Sequence, residues 1–66
     1  MRILLNGEPR ELPGPLSVRD LLAVLGIDAR VVAVELNRAV VKRGNHADTV
    51  VSEGAEVEIV AFVGGG

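Results

Sequence analysis

Along the 66 residues, apolar and polar positions fall into short blocks, and the period within each block predicts an element. Residues 3–5 are an apolar block that stops at Asn6-Gly7. That dipeptide signals a tight hairpin, because both central positions of a type I′ turn need positive φ. The return strand is expected over 8–12. Pro9 has no N–H to give to a ladder, so this strand belongs at a sheet edge. Pro13-Gly14-Pro15 then breaks it. At Ser17 the period changes. Val18, Leu21, Leu22 and Leu25 stand at i, i+3, i+4 and i+7, which is one face of a helix. Ser17 is a good N-cap, Asp20 sits at the positive end of the helix dipole, and Gly26 suits the C-terminal cap.

A near-continuous apolar run over 31–36 predicts a strand, Asn37-Arg38 a tight turn, and Ala39–Val41 its return. Residues 42–48 are polar and contain Gly44-Asn45, so they are expected to form a loop with room for one helical turn. A short extended piece is expected at 49–51 and a turn at Ser52-Glu53-Gly54. The last strand should run over 56–63. Period-two alternation sends Val57, Ile59 and Ala61 to the helix-covered side, and Glu58, Val60 and Phe62 to the other.

Hairpin, helix, hairpin and final strand, in that order, give an α+β chain of the ubiquitin-like β-grasp type. A mixed sheet of four to five strands would carry one main helix on one face, with the first and last strands side by side, central and parallel. Residues 1–66 read as a single domain, with 64–66 as a flexible glycine tail.

Composition narrows what such a domain can do. Hydrophobic residues make up 48% and charged residues 24%, which is the balance of a folded domain and not of a disordered one. Most apolar residues are Val or Leu, and β-branched Val suits strands. Cysteine is absent, so the chain has no disulfide, thiolate metal site or thiol nucleophile of its own. The net charge of −2 gives no footprint for nucleic acid. No apolar run approaches membrane-spanning length and no signal peptide is expected, so the reading is cytoplasmic with no membrane partner. His46 has no second ligand type beside it and reads as a solvated loop residue. Lys42-Arg43 reads as a solvated basic pair. Neither a metal site nor a cofactor motif is visible.

The ending carries the candidate chemistry. The strand runs into Gly64-Gly65-Gly66. Glycine lacks Cβ and lets a chain end approach other backbones closely, so a bare end of this kind can reach into an enclosed site. Val60 and Phe62, with Val63, would form an apolar docking patch beside it.

Several segments together resemble one family, the sulfur carriers of thiamine thiazole biosynthesis known as ThiS. They are the opening strand with Asn6-Gly7, the Leu21-Leu22 helix, Val32-Ala33-Val34-Glu35-Leu36-Asn37, and Glu53-Gly54 with Val57-Glu58-Ile59-Val60-Ala61-Phe62-Val63 and the glycines. Lys42 departs from the proline common before the arginine matching Arg43.

The resemblance implies that the carboxylate of Gly66 is the working group, with Gly64 and Gly65 as its tether. An E1-like activating enzyme of the ThiF type would adenylate it with ATP. A cysteine desulfurase or other persulfide donor would supply sulfur to form a thiocarboxylate. A thiazole synthase of the ThiG type would accept that sulfur. The chain would be a protein co-substrate and not an enzyme, binding no cofactor itself. Carriers for molybdopterin or for tRNA thiolation would use the same Gly66 chemistry. A protein modifier and a non-catalytic β-grasp module of the TGS type are the remaining alternatives.

Overall fold

The computed structural model describes residues 1–62. Strand β1 (Arg2–Leu5) and strand β2 (Glu8–Glu11) form the first hairpin. Its turn residues have φ of 51° at Asn6 and 82° at Gly7, both in the left-handed region, as the type I′ turn requires. Next come β3 (Leu16–Ser17), helix α1 (Val18–Leu25) and a 3-10 turn (Ala29–Val31). A second hairpin joins β4 (Val32–Leu36) to β5 (Ala39–Val41), again through positive φ at Asn37 and Arg38. A 3-10 turn (Arg43–Asn45), β6 (Val50–Val51) and β7 (Glu56–Ala61) complete the described chain.

The main sheet has the order β2-β1-β7-β4-β5. β7 runs parallel to β1 and antiparallel to β4, so the last strand in sequence lies at the centre. β2, with Pro9, is the edge strand the sequence requires. The helix begins where Ser17 Oγ accepts the Asp20 N–H at 3.0 Å, and ends at Gly26, in the left-handed region at φ 70°. Its apolar stripe closes the core: Val18, Leu21 and Leu22 are buried against Ile3, Val34 and Val57. At about 25 cal/mol per Å² of apolar surface removed from water, this one layer is the main stabilising contact available to so small a domain.

Two features depart from the sequence expectation. Leu16–Ser17 is extended and pairs antiparallel with Val50–Val51 as a separate two-stranded sheet at the mouth of the helix. The final strand ends at Ala61, and Val63 lies outside the described residues. Among the described residues no helix is long and apolar enough to cross a membrane.

Candidate functional site

The candidate site is the C-terminal end of β7 and the sheet face beside it. β7 is gripped from both sides. Toward β4 the ladder runs from Leu36↔Val57 to Val32↔Ala61, and the Phe62 N–H donates to the Val31 carbonyl at 2.8 Å. Toward β1 the backbone ladder is short, covering Leu4↔Glu56 and Leu5↔Val57. It is prolonged by the Asn6 side chain, whose Oδ1 accepts the Ile59 N–H at 2.8 Å while Nδ2 donates to the Ile59 carbonyl at 3.2 Å. The strand is thus fixed to within one residue of its end.

Sidedness follows the alternation. Val57 is buried and Ile59 packs on the core, under the helix. Ala61 shares that side by register, opposite buried Val32, yet is exposed because the helix layer stops short of it. On the open face Val60 is 59% exposed, and the next residue but one, Phe62, is 61% exposed. Ala33 lies directly across from Val60, so the patch spans two strands. Next along the same face, Glu35 and Glu58 face each other across β4 and β7. Glu35 is also opposite Val40 of β5, which is exposed. The open face is therefore apolar at its Phe62 end and acidic in its middle.

Of the residues expected to act, the structure places Val60 and Phe62 at the end of β7. Val63, Gly64, Gly65 and Gly66 lie outside the described residues. The reading of His46 as a solvated residue is overturned: it is only 5% exposed. The 3-10 turn folds the loop back so that the His46 carbonyl accepts the Arg19 N–H at 3.1 Å, tying loop to helix. The His46 Nε2 lies 3.2 Å from the Val41 carbonyl. A carbonyl can only accept, so Nε2 donates in this contact and Nδ1 is the ring nitrogen left over. That Nδ1 is buried with no hydrogen-bond partner. Beside it, a hollow of about 310 Å³ is bordered by Arg30, Lys42, Arg43 and Phe62. No group of three or more His, Cys, Asp or Glu able to hold a metal ion occurs among the described residues.

Two features of the site went unread in the sequence. One is the Asn6 bridge to Ile59, for which an Asn rather than a Gly at the first turn position was the only signal. The other is the opposed Glu35 and Glu58, which requires the strand register to find.

The ThiS family model matches residues 3–66. Thiazole synthases from Paramagnetospirillum magneticum and Magnetococcus marinus are each 44% identical to this chain over 66 residues. That alignment takes in 100% of this chain and 20% of each synthase, so the chain spans about a fifth of the length of these curated relatives. A crystal structure of the thiamine biosynthesis protein (ThiS) from Geobacter metallireducens matches at TM-score 0.89 and 39% identity, covering 100% of both chains. A solution structure of a thiamine biosynthesis protein from the same organism matches at TM-score 0.82 and 38% identity, over 100% of this chain and 88% of the other. The opening hairpin, the crossing helix and the parallel central pair are those of a ubiquitin-like β-grasp, and the chain belongs to the ThiS family.

Proposed function

We propose that this protein carries sulfur for thiamine thiazole biosynthesis, as a thiocarboxylate on Gly66. The observation that carries the reading is the position of β7: the central strand of the sheet is the one followed in sequence by Gly64-Gly65-Gly66. An α-carboxyl group has a pKa of about 3.3–3.7, so at neutral pH it is an anion that resists acyl transfer. One carboxylate oxygen attacks the α-phosphorus of ATP on an E1-like enzyme and pyrophosphate leaves. A persulfide sulfur from a cysteine desulfurase or similar donor then attacks the acyl carbon and AMP leaves. A thiol reductant cleaves the resulting S–S bond, leaving the thiocarboxylate. Splitting the reaction in this way replaces one difficult displacement by two easier ones. The chain supplies the acyl group; its partners supply ATP, base and nucleophile, in the cytoplasm.

The open face is the docking surface. Val60 and Phe62 offer the apolar anchor, and Glu35 and Glu58 call for cationic side chains on the partner. The likeness of the whole chain to part of two proteins named thiazole synthase supports thiazole synthase as the acceptor.

The test is to incubate the protein with ATP, an E1-like enzyme and a persulfide donor, and to weigh it intact. A gain equal to oxygen replaced by sulfur is expected, and deletion of Gly66 should abolish it with the fold preserved. No gain with an enzyme proven active on its own carrier overturns the proposal. Discharge by thiazole synthase, and not by acceptors for molybdopterin or tRNA thiolation, identifies the pathway.

A further inference from the structure

β4 is longer than its hairpin partner. The ladder with β5 begins at Val34↔Val41, so Val32 and Ala33 have no β5 residue beside them. The chain leaves instead at Lys42, the N-cap of the 3-10 turn Arg43–Asn45. A notch remains at that corner of the sheet, a hollow of about 310 Å³. Its walls are largely apolar, with Val32, Val34, Val41 and Phe62 among them. Its cations come from two separate segments, Arg30 before β4 and Lys42 and Arg43 after β5, and all three are exposed. Among the described residues no acidic side chain lines it. Arg30 is balanced in part by Asp28, at 2.8 Å. Lys42 and Arg43 form no ion pair among the described residues. His46 also lines the hollow, and it is only 5% exposed. Its Nδ1 is the only buried side-chain polar atom among the described residues that has no hydrogen-bond partner. An orphan of that kind asks for a water, an ion or a ligand.

We propose that this notch binds a small phosphomonoester, its phosphate among Lys42, Arg43 and Arg30 and its organic part against Val41 and Phe62. Charge selects the phosphate. Three cations against the single charge of Asp28 leave a local excess of two, which suits a dianion better than a carboxylate. Arg43 offers a planar fork to tetrahedral oxygens and Lys42 a point charge, the two usual ways of holding phosphate. Volume selects the organic part. The hollow is at the lower end of the range for small-molecule pockets, has more room than one tetrahedral anion fills, and gives a bare ion nothing along its apolar walls. The orphaned nitrogen fits as well. A phosphomonoester, with a second pKa of about 6, presents both O⁻ and O–H near neutral pH. It can therefore offer a partner to a ring nitrogen that donates or to one that accepts. The site does not depend on sulfur transfer, and its failure would leave the carrier reading untouched.

Phenyl phosphate, inorganic phosphate and phenol, titrated separately into the isotope-labelled full chain at low ionic strength, resolve the two contributions by amide NMR. Phenyl phosphate should bind saturably and about tenfold or more tighter than either of the others, since it alone engages both the cations and the apolar walls. Its shifts should be confined to 29–34, 40–46 and Phe62, and its ring protons should show nuclear Overhauser contacts to Val41 and Phe62. Lys42→Gln and Arg43→Gln should each weaken binding about five- to tenfold. Arg10→Gln, at an exposed arginine on edge strand β2, should leave it unchanged. Equal affinity for phenyl phosphate and inorganic phosphate overturns the proposal, as does equal affinity for phenol. Shifts spread over the whole surface, or an equal loss in Arg10→Gln, reduce the effect to general charge attraction and overturn it too. If Lys42→Gln or Arg43→Gln does not fold, the wild-type ring contacts decide: their absence at saturation removes the site.

Discussion

His46 shows how much one side chain can hold in a chain this short. Its ring joins the loop to β5 through Val41, and its backbone joins the loop to α1 through Arg19. His46→Ala removes the Val41 partner and opens a void, and should lower stability by about 2 kcal/mol. Urea denaturation with an unchanged m-value would establish it; a midpoint equal to wild type would contradict it. Asp28 is a contrasting case at the surface. The Arg30 guanidinium, hydrogen-bonded to its carboxylate, draws its pKa from 3.8 down to about 2, helped by the Arg30 backbone N–H. A carboxyl lowered by folding favours the fold above its unfolded value, and that contribution fades as pH falls from 3.8 toward 2. Carbon-detected titration should place the Asp28 midpoint near 2, and Arg30→Ala should move it partway back toward 3.8. An unmoved midpoint would refute the assignment to Arg30. Of these two residues the sequence disclosed little. His46 looked polar and solvated because burial depends on the turn at Arg43–Asn45, which has no hydrophobic period to announce it.

At the scale of elements, the helix was legible because caps and period agree on its limits. Its two faces should respond differently to the same truncation. Leu21 is fully buried, whereas Val24 is 59% exposed. Leu21→Ala should cost about 2–5 kcal/mol, and Val24→Ala about 0.5 kcal/mol or less. Thermal melts followed by circular dichroism would resolve the two, and similar losses would mean the helix is seated differently. Both hairpins were equally readable, since Asn6-Gly7 and Asn37-Arg38 each adopt the positive φ that makes such turns tight. The pairing of Leu16–Ser17 with Val50–Val51 was not. A strand of two residues has no period, and its partner lies far along the chain.

At the scale of the whole molecule, the order of elements foretold the topology, and the alternation in β7 foretold which side Val60 and Phe62 would take. What it could not foretell was Glu35 standing opposite Glu58. Like charges paired across strands destabilise a sheet, so Glu35→Gln should raise the stability of the free protein by a few tenths of a kcal/mol. If the face docks on cationic partners, the same change should weaken binding to the activating enzyme and flatten its salt dependence. Calorimetry on the free and bound protein tests both signs, and tighter binding would exclude a cationic partner surface. The central place of β7 also has a meaning for folding. β1 pairs with β2, and β4 with β5, and among the described residues β7 alone joins the two hairpins into one sheet. Until it arrives, each hairpin is an isolated two-stranded ribbon, marginal in water. The long loop closure needed to seat β7 beside β1 makes assembly slow to start and close to all-or-none. A chain synthesised only as far as Ser52 therefore holds two separate hairpins, and the continuous five-stranded face that carries Glu35, Glu58 and Val60 exists only once β7 is in place.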